Sequence, residues 1–282
     1  MGVTGDALRT DVVQGPWGFP TVVHRGGNPS ASGGPLVFLH AAAAVNPHDP
    51  LLLALAERFE VIAPVHPGFA DLAELDEIRD VHDMALYYDD LFAALGLDGA
   101  PVVGHSLGGM FAAELAAHVP HRVSRLVLAA PVGLWNDEYP VADLFITFPG
   151  GINDLVWADP SGDAAQRFMA AAAKPTGVGD DAPVHDNPMI ATLIGLLQGL
   201  TAAGKFLWPI PDKGLSRRLR RITAQTLIVW GAADKLAPAR YAEDFARGIP
   251  SSKVEVLDNA GHMVPYERQD AFVDLVTTFL RG

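Results

Sequence analysis

Three side chains have the types and the surroundings to cooperate in nucleophilic chemistry: Ser106, Asp234 and His262. Ser106 is the centre of Gly104-His105-Ser106-Leu107-Gly108. Before it, Ala100-Pro101-Val102-Val103 is a short apolar run with β-branched residues that reads as a buried strand. After it, Gly109 to His118 is alanine-rich and reads as a helix. A serine on a sharp strand-to-helix turn has its hydroxyl pushed clear of the backbone, and the flanking glycines keep side chains out of the crowded corner. A hydroxyl is a poor nucleophile until a base takes its proton, and that base must be held in one tautomer. The chain offers both partners downstream. Asp234 follows the apolar segment Thr226-Leu227-Ile228-Val229-Trp230, and His262 follows Lys253 to Leu257, in Asn259-Ala260-Gly261-His262-Met263.

The elements that must position these residues alternate. An opening hairpin is expected between about Asp11 and Arg25, then a loop from Gly26 to Gly34. Strands are expected at Pro35–Leu39, Glu60–Ala63, around Val102, and at Val123–Ala129, Thr226–Trp230 and Lys253–Leu257. Helices are expected at Leu51–Arg58, Val81–Leu95, Gly109–His118, Ala239–Arg247 and Tyr266–Leu280. Apolar strands without alternation, separated by helices, imply a mostly parallel sheet covered on both faces. In such a sheet the loops after separate strands share one edge, so distant residues can meet there. From 132 to 222 the rhythm fails: short helix-like pieces are separated by Pro, Gly and Asp breaks, among them Pro140, Pro149-Gly150-Gly151, Asp159-Pro160 and Pro175 to Pro183. This reads as a helical cap inserted into a core made of residues 1–131 and 223–282.

The bulk numbers fit a globular domain. The chain has 282 residues, 49% hydrophobic and 19% charged, enough for a sizeable core. A formal charge of −13 argues against nucleic acid or an anionic membrane as a partner. The absence of cysteine excludes disulfides, thiolate metal sites and cysteine nucleophiles. The histidines at 24, 48, 66, 82, 118, 121 and 185 are scattered without metal-ligand spacing, so no metal is expected. Gly26-Gly27 and Gly33-Gly34 do not open a helix after a strand and read as loop residues, not a nucleotide cradle. Met1 to Asp6 shows no basic segment followed by an apolar one, so no signal peptide is expected, and the expected location is cytoplasmic.

These motifs together resemble the α/β-hydrolase fold. Beyond the Ser–Asp–His order, Phe38-Leu39-His40 resembles the strand that precedes an oxyanion loop, and Ile62-Ala63-Pro64-Val65-His66-Pro67-Gly68-Phe69 resembles the segment after the next strand, where relatives commonly place an aspartate at the position of Val65. Leu95-Gly96-Leu97 and Gly261-His262 also fit. The resemblance implies that Ser106 is the nucleophile, His262 the base and Asp234 the acid, with Asp137 as the other position where some relatives place the acid. It further implies that the backbone amides of Ala42 and Leu107 form the oxyanion hole. Relatives usually have glycine after the loop histidine; here His40 is followed by Ala41 to Ala44, which leaves open whether Ala41 or Ala42 donates. The candidate lining of the substrate pocket is His40, His105, Trp135, Phe145, Trp157 and Met263, although His40 and His105 also suit bracing and packing roles. The implied activity is serine hydrolysis of a small, apolar ester or related carbonyl compound, without a cofactor. The alternatives are a carbon–carbon bond hydrolase of the ring-fission-product type, a cofactor-free perhydrolase, or a non-catalytic ligand receptor on the same fold.

Overall fold

The computed structural model describes residues 7–28, 34–43, 45–147, 149–174 and 188–282. Ala44, the aromatic Phe148 and the whole of the Pro175 to Pro183 break lie outside the described residues. Eight strands form one sheet: β1 (Arg9–Gln14), β2 (Pro20–Gly27), β3 (Leu36–Leu39), β4 (Glu60–Pro64), β5 (Ala100–His105), β6 (Val123–Ala129), β7 (Gln225–Gly231) and β8 (Ser252–Leu257). Their spatial order is β1-β2-β4-β3-β5-β6-β7-β8. The β1/β2 hairpin is antiparallel, β2 is antiparallel to β4, and every pairing from β4 to β8 is parallel.

The central strands are apolar up to His105 at the end of β5 because both of their faces are covered: every residue of β3 and β5 is buried. The outer strand β8 has no fully buried residue. One group of helices joins α1 (Pro50–Ala56) and α10 (Gln269–Arg281); another joins α2 (Val81–Ala94), α3 (Leu107–His118), α7 (Leu215–Arg218) and α8 (Tyr241–Gly248). Helix starts follow their caps. Asp49 accepts from the amides of Leu51 and Leu52 ahead of α1, where Pro50 opens the helix, and Asp80 accepts from His82 and Asp83 ahead of α2.

Between β6 and β7 the described residues hold helices and no strand: α4 (Pro149–Val156), α5 (Asp163–Ala172), α6 (Pro188–Leu207) and α7. The last of these packs against α3 and α8, so the end of this region joins the layer that flanks the sheet. The closing helix expected from Tyr266 to Leu280 is two, α9 (Val264–Glu267) and α10, parted at Arg268, whose backbone (φ −121°, ψ 44°) is not helical. Among the described residues, no helix is long and apolar enough to cross a membrane.

The parallel register sets the site. Leu39 pairs with Gly104, His105 with Ala129, Ala129 with Val229, and Gly231 with Leu257. The chain therefore leaves β3, β5, β6, β7 and β8 along one edge.

Candidate active site

Ser106 sits between β5 and α3 with φ 54° and ψ −113°, a conformation that costs a non-glycine residue about 1–3 kcal/mol. The surroundings impose it. Its amide donates to the carbonyl of Ala129 (2.9 Å), and its carbonyl accepts from Met110 (3.0 Å) and Val132 (3.2 Å). The two glycines of the turn are required by close approach: a Cβ on Gly104 would lie 2.5 Å from the carbonyl oxygen of Gly108, and one on Gly108 would lie 2.1 Å from that of Leu39. The start of α3 is thus pressed against the end of β3.

The Ser106 hydroxyl lies 2.7 Å from Nε2 of His262, and Nδ1 of His262 lies 2.8 Å from Oδ2 of Asp234. Because the carboxylate only accepts, Nδ1 carries the proton and Nε2 accepts from the serine. Both Asp234 oxygens are held. Oδ1 accepts from the amides of Leu236 and Ala237 (2.9 Å each), and Oδ2 accepts from the indole N–H of Trp230 (3.0 Å) as well as from His262. The loops that carry acid and base are fastened to each other: Ala233 donates to the carbonyl of Ala260, and Gly231 has no room for a side chain against Ala260 and Gly261. Ser106, Asp234 and His262 are all buried.

Asp137, the other position for the acid, is exposed, and its carboxylate accepts from the indole of Trp135. His105 is fully buried. Its Nε2–H donates to the carbonyl of His262 (2.9 Å), burial lowers its pKa to about 3, and its Nδ1 has no partner. It therefore steadies the backbone of the His262 loop. His40 is also buried and bonds within the segment that follows β3. Trp157 packs against Phe168 and Tyr266, and Met263 is buried with its amide donating to Val156, which ties the His262 loop to the end of α4. Of the aromatic candidates, Phe145 lines a small apolar cavity of about 40 Å³, together with Met110, Val132, Phe206 and Leu236. Trp135 is partly exposed and not among its lining residues.

Ala42 lies in the segment after β3 and Leu107 heads α3; neither amide donates a hydrogen bond to a described residue. Four contributors were not singled out from the sequence. Trp230 reads there only as an apolar strand residue. His66 falls in a segment noted for its neighbour at 65. Tyr88 reads as a core position of an amphipathic helix, and Tyr266 as part of a closing helix. No spacing rule marks them, since each acts through a partner remote in sequence.

The arrangement has relatives. A 2-hydroxy-6-oxo-6-phenylhexa-2,4-dienoate hydrolase of Burkholderia cepacia is 28% identical over 275 residues, covering 93% of this chain and 88% of that one. Among solved structures, a membrane phospholipase A superposes with a TM-score of 0.75 at 20% identity, over 98% of this chain and 87% of the other. A meta-cleavage product hydrolase from Pseudomonas fluorescens superposes with a TM-score of 0.72 at 20% identity, over 96% and 97%. The model of the alpha/beta hydrolase family matches residues 36–275. With that match over most of its length and the strand order described above, the chain belongs to the alpha/beta hydrolase family.

Proposed function

We propose that this hydrolase acts through Ser106, His262 and Asp234 by acyl transfer on a small apolar ester or related carbonyl substrate. The single observation that carries this reading is the unbroken hydrogen-bonded line from the Ser106 hydroxyl through His262 to Asp234. His262 takes the serine proton as Oγ attacks the carbonyl, and then gives it to the departing group. Asp234 holds the imidazole with Nδ1 protonated and balances its transient positive charge. The amides of Leu107 and Ala42, which donate to no described residue, are the donors for the oxyanion, a contribution worth about 10²–10³ in turnover per donor. Water, deprotonated by His262, then releases the acyl group. Side chains, amides and water suffice for every step.

A second reading, cleavage of a carbon–carbon bond beside a ketone, is favoured by the similarity to the dienoate hydrolase of Burkholderia cepacia. The same three residues would serve it, with proton delivery to carbon in place of oxygen. The test is a panel of p-nitrophenyl esters of rising acyl length beside 2-hydroxy-6-oxo-6-phenylhexa-2,4-dienoate, with fluorophosphonate labelling of the wild type and of Ser106→Ala. Labelling at Ser106 with the highest kcat/KM on an ester supports the first reading; the highest value on the dienoate supports the second. Ligand binding without labelling or turnover would overturn both and leave a receptor.

A further inference from the structure

The segment that carries Ala42 is held by an unusual pair of rings. His40 and His66 stack with centroids 3.7 Å apart and planes 24° from parallel, and both are fully enclosed. All four of their nitrogens have partners. His40 Nδ1–H donates to the carbonyl of Ala41 (2.6 Å), and His40 Nε2 accepts from the backbone N–H of His66 (3.0 Å). His66 Nε2–H donates to the carbonyl of His40 (2.7 Å), and His66 Nδ1 accepts from the hydroxyl of Tyr88 on α2. Backbone groups act in one direction only, so these bonds assign one tautomer to each ring. Burial holds both rings neutral: it lowers the pKa of His40 to about 4 and that of His66 well below the ordinary range.

The location of this pair has a consequence for the oxyanion amides. The pairing between β3 and β4 stops at Val37 and Ile62, while the chain runs on to His40 and beyond. Past that point the two histidines replace the strand ladder. The carbonyl of Ala41 and the N–H of Ala42 belong to one planar trans peptide, so they point in opposite directions. Fixing the carbonyl with His40 Nδ1 aims the Ala42 N–H away from it. The same holds one peptide earlier: His66 Nε2 fixes the carbonyl of His40 and thereby aims the N–H of Ala41.

We propose that His40 and His66, locked by the hydroxyl of Tyr88, are positioning residues that aim the oxyanion-binding amides. This rests on the reading of Ser106 as nucleophile. None of the three reaches the reacting atoms; their effect passes through the peptide units of residues 40–42.

The test compares Tyr88→Phe with Tyr87→Phe, each of which removes one buried tyrosine hydroxyl; that of Tyr87 bonds Thr21 instead. With p-nitrophenyl acetate, Tyr88→Phe is expected to lower kcat about tenfold with KM within twofold, since small misplacements of catalytic groups cost up to about 10². Affinity for phenylboronic acid, a mimic of the tetrahedral state, should fall by the same factor. Tyr87→Phe should stay within twofold on every measure. His66→Gln keeps a donor for the His40 carbonyl and should retain more kcat than His66→Ala. The proposal is overturned if Tyr88→Phe and Tyr87→Phe behave alike, or if Tyr88→Phe changes KM alone, while fluorophosphonate still labels Ser106 in each. Absence of labelling and turnover in the wild type would overturn the nucleophile reading, and this proposal with it.

Discussion

The indole N–H of Trp230 and the imidazole N–H of His262 converge on the same oxygen of Asp234, at 3.0 and 2.8 Å. Trp230 is fully buried at the end of β7, and its N–H is shared with the carbonyl of Ala237 (2.9 Å). The indole therefore joins the carboxylate to the loop that carries it, and limits the rotamers from which Asp234 can face His262. Trp230→Phe keeps most of the core volume and removes this donor. The expected result is a fall in kcat of about tenfold with KM nearly unchanged, because orientation of the base is lost and substrate contacts are not. Steady-state kinetics at a temperature where near-ultraviolet circular dichroism reports a folded variant checks it.

The two candidate acids separate in the same way. Asp234→Asn keeps the shape of the side chain and leaves His262 without a carboxylate, so Nδ1 no longer has a reason to hold the proton. A loss in kcat approaching about 10⁴ is expected, the size seen when such a change selects the wrong tautomer. Asp137→Asn alters an exposed carboxylate whose partner is Trp135, and kcat should stay within about twofold. Ester turnover by the two variants decides it. A larger loss from Asp137→Asn would transfer the acid to the loop after β6.

Gly108 answers for the shape of the turn rather than for its chemistry. An added Cβ would stand 2.1 Å from the carbonyl oxygen of Leu39 and 2.4 Å from that of His40, both backbone atoms that cannot rotate away. Gly108→Ala must therefore move the start of α3 off the end of β3. A loss of about 3 kcal/mol or more is expected, at the upper end for overpacking a close-packed interior. Urea unfolding measures it, and the variant should lose fluorophosphonate labelling as well, since the same shift moves Ser106 and Leu107 away from the segment at Ala42.

What could be read from the sequence was whatever has a local signature. Apolar runs marked the strands near Val37, Val102 and Leu227, and the alanine-rich stretch marked α3, because all but one end residue of β7 and of α3, and every residue of the other two, is buried. The glycines around Ser106 were legible because close approach leaves no other residue type. Contacts that close over long separations were not legible. Tyr266 bonds Asp49, and Tyr88 bonds His66, across stretches whose periodicity says only that these residues face inward. The break at Arg268 was hidden for a related reason. The carboxylate of Glu267 is drawn to the amides of Ala158 and Gly261, a demand set by the tertiary contact between α4 and the His262 loop.

Asp49 gives the fold a pH dependence of a definite sign. Its buried carboxyl caps α1 through the amides of Leu51 and Leu52 and accepts from the Tyr266 hydroxyl (3.0 Å). Burial raises its pKa from 3.8 to about 6, against the opposing pull of those hydrogen bonds. A carboxyl that is harder to ionise when folded costs stability once ionised: the cost is absent below about pH 4, grows as pH rises, and is complete above about 6. The buried histidines His24, His40, His66 and His105 act in the opposite direction, since they must stay neutral in the folded chain and resist it increasingly as pH falls below 6.5. Asp49→Asn separates the two effects. Asparagine caps a helix as well as aspartate does and leaves the histidines untouched. The variant should thus gain stability over the wild type between pH 4 and 7 by up to about 3 kcal/mol. Urea unfolding of both proteins at pH 4.5, 5.5 and 7 tests this; a difference that does not change with pH would show that Asp49 stays ionised throughout, or protonated throughout, in the folded chain.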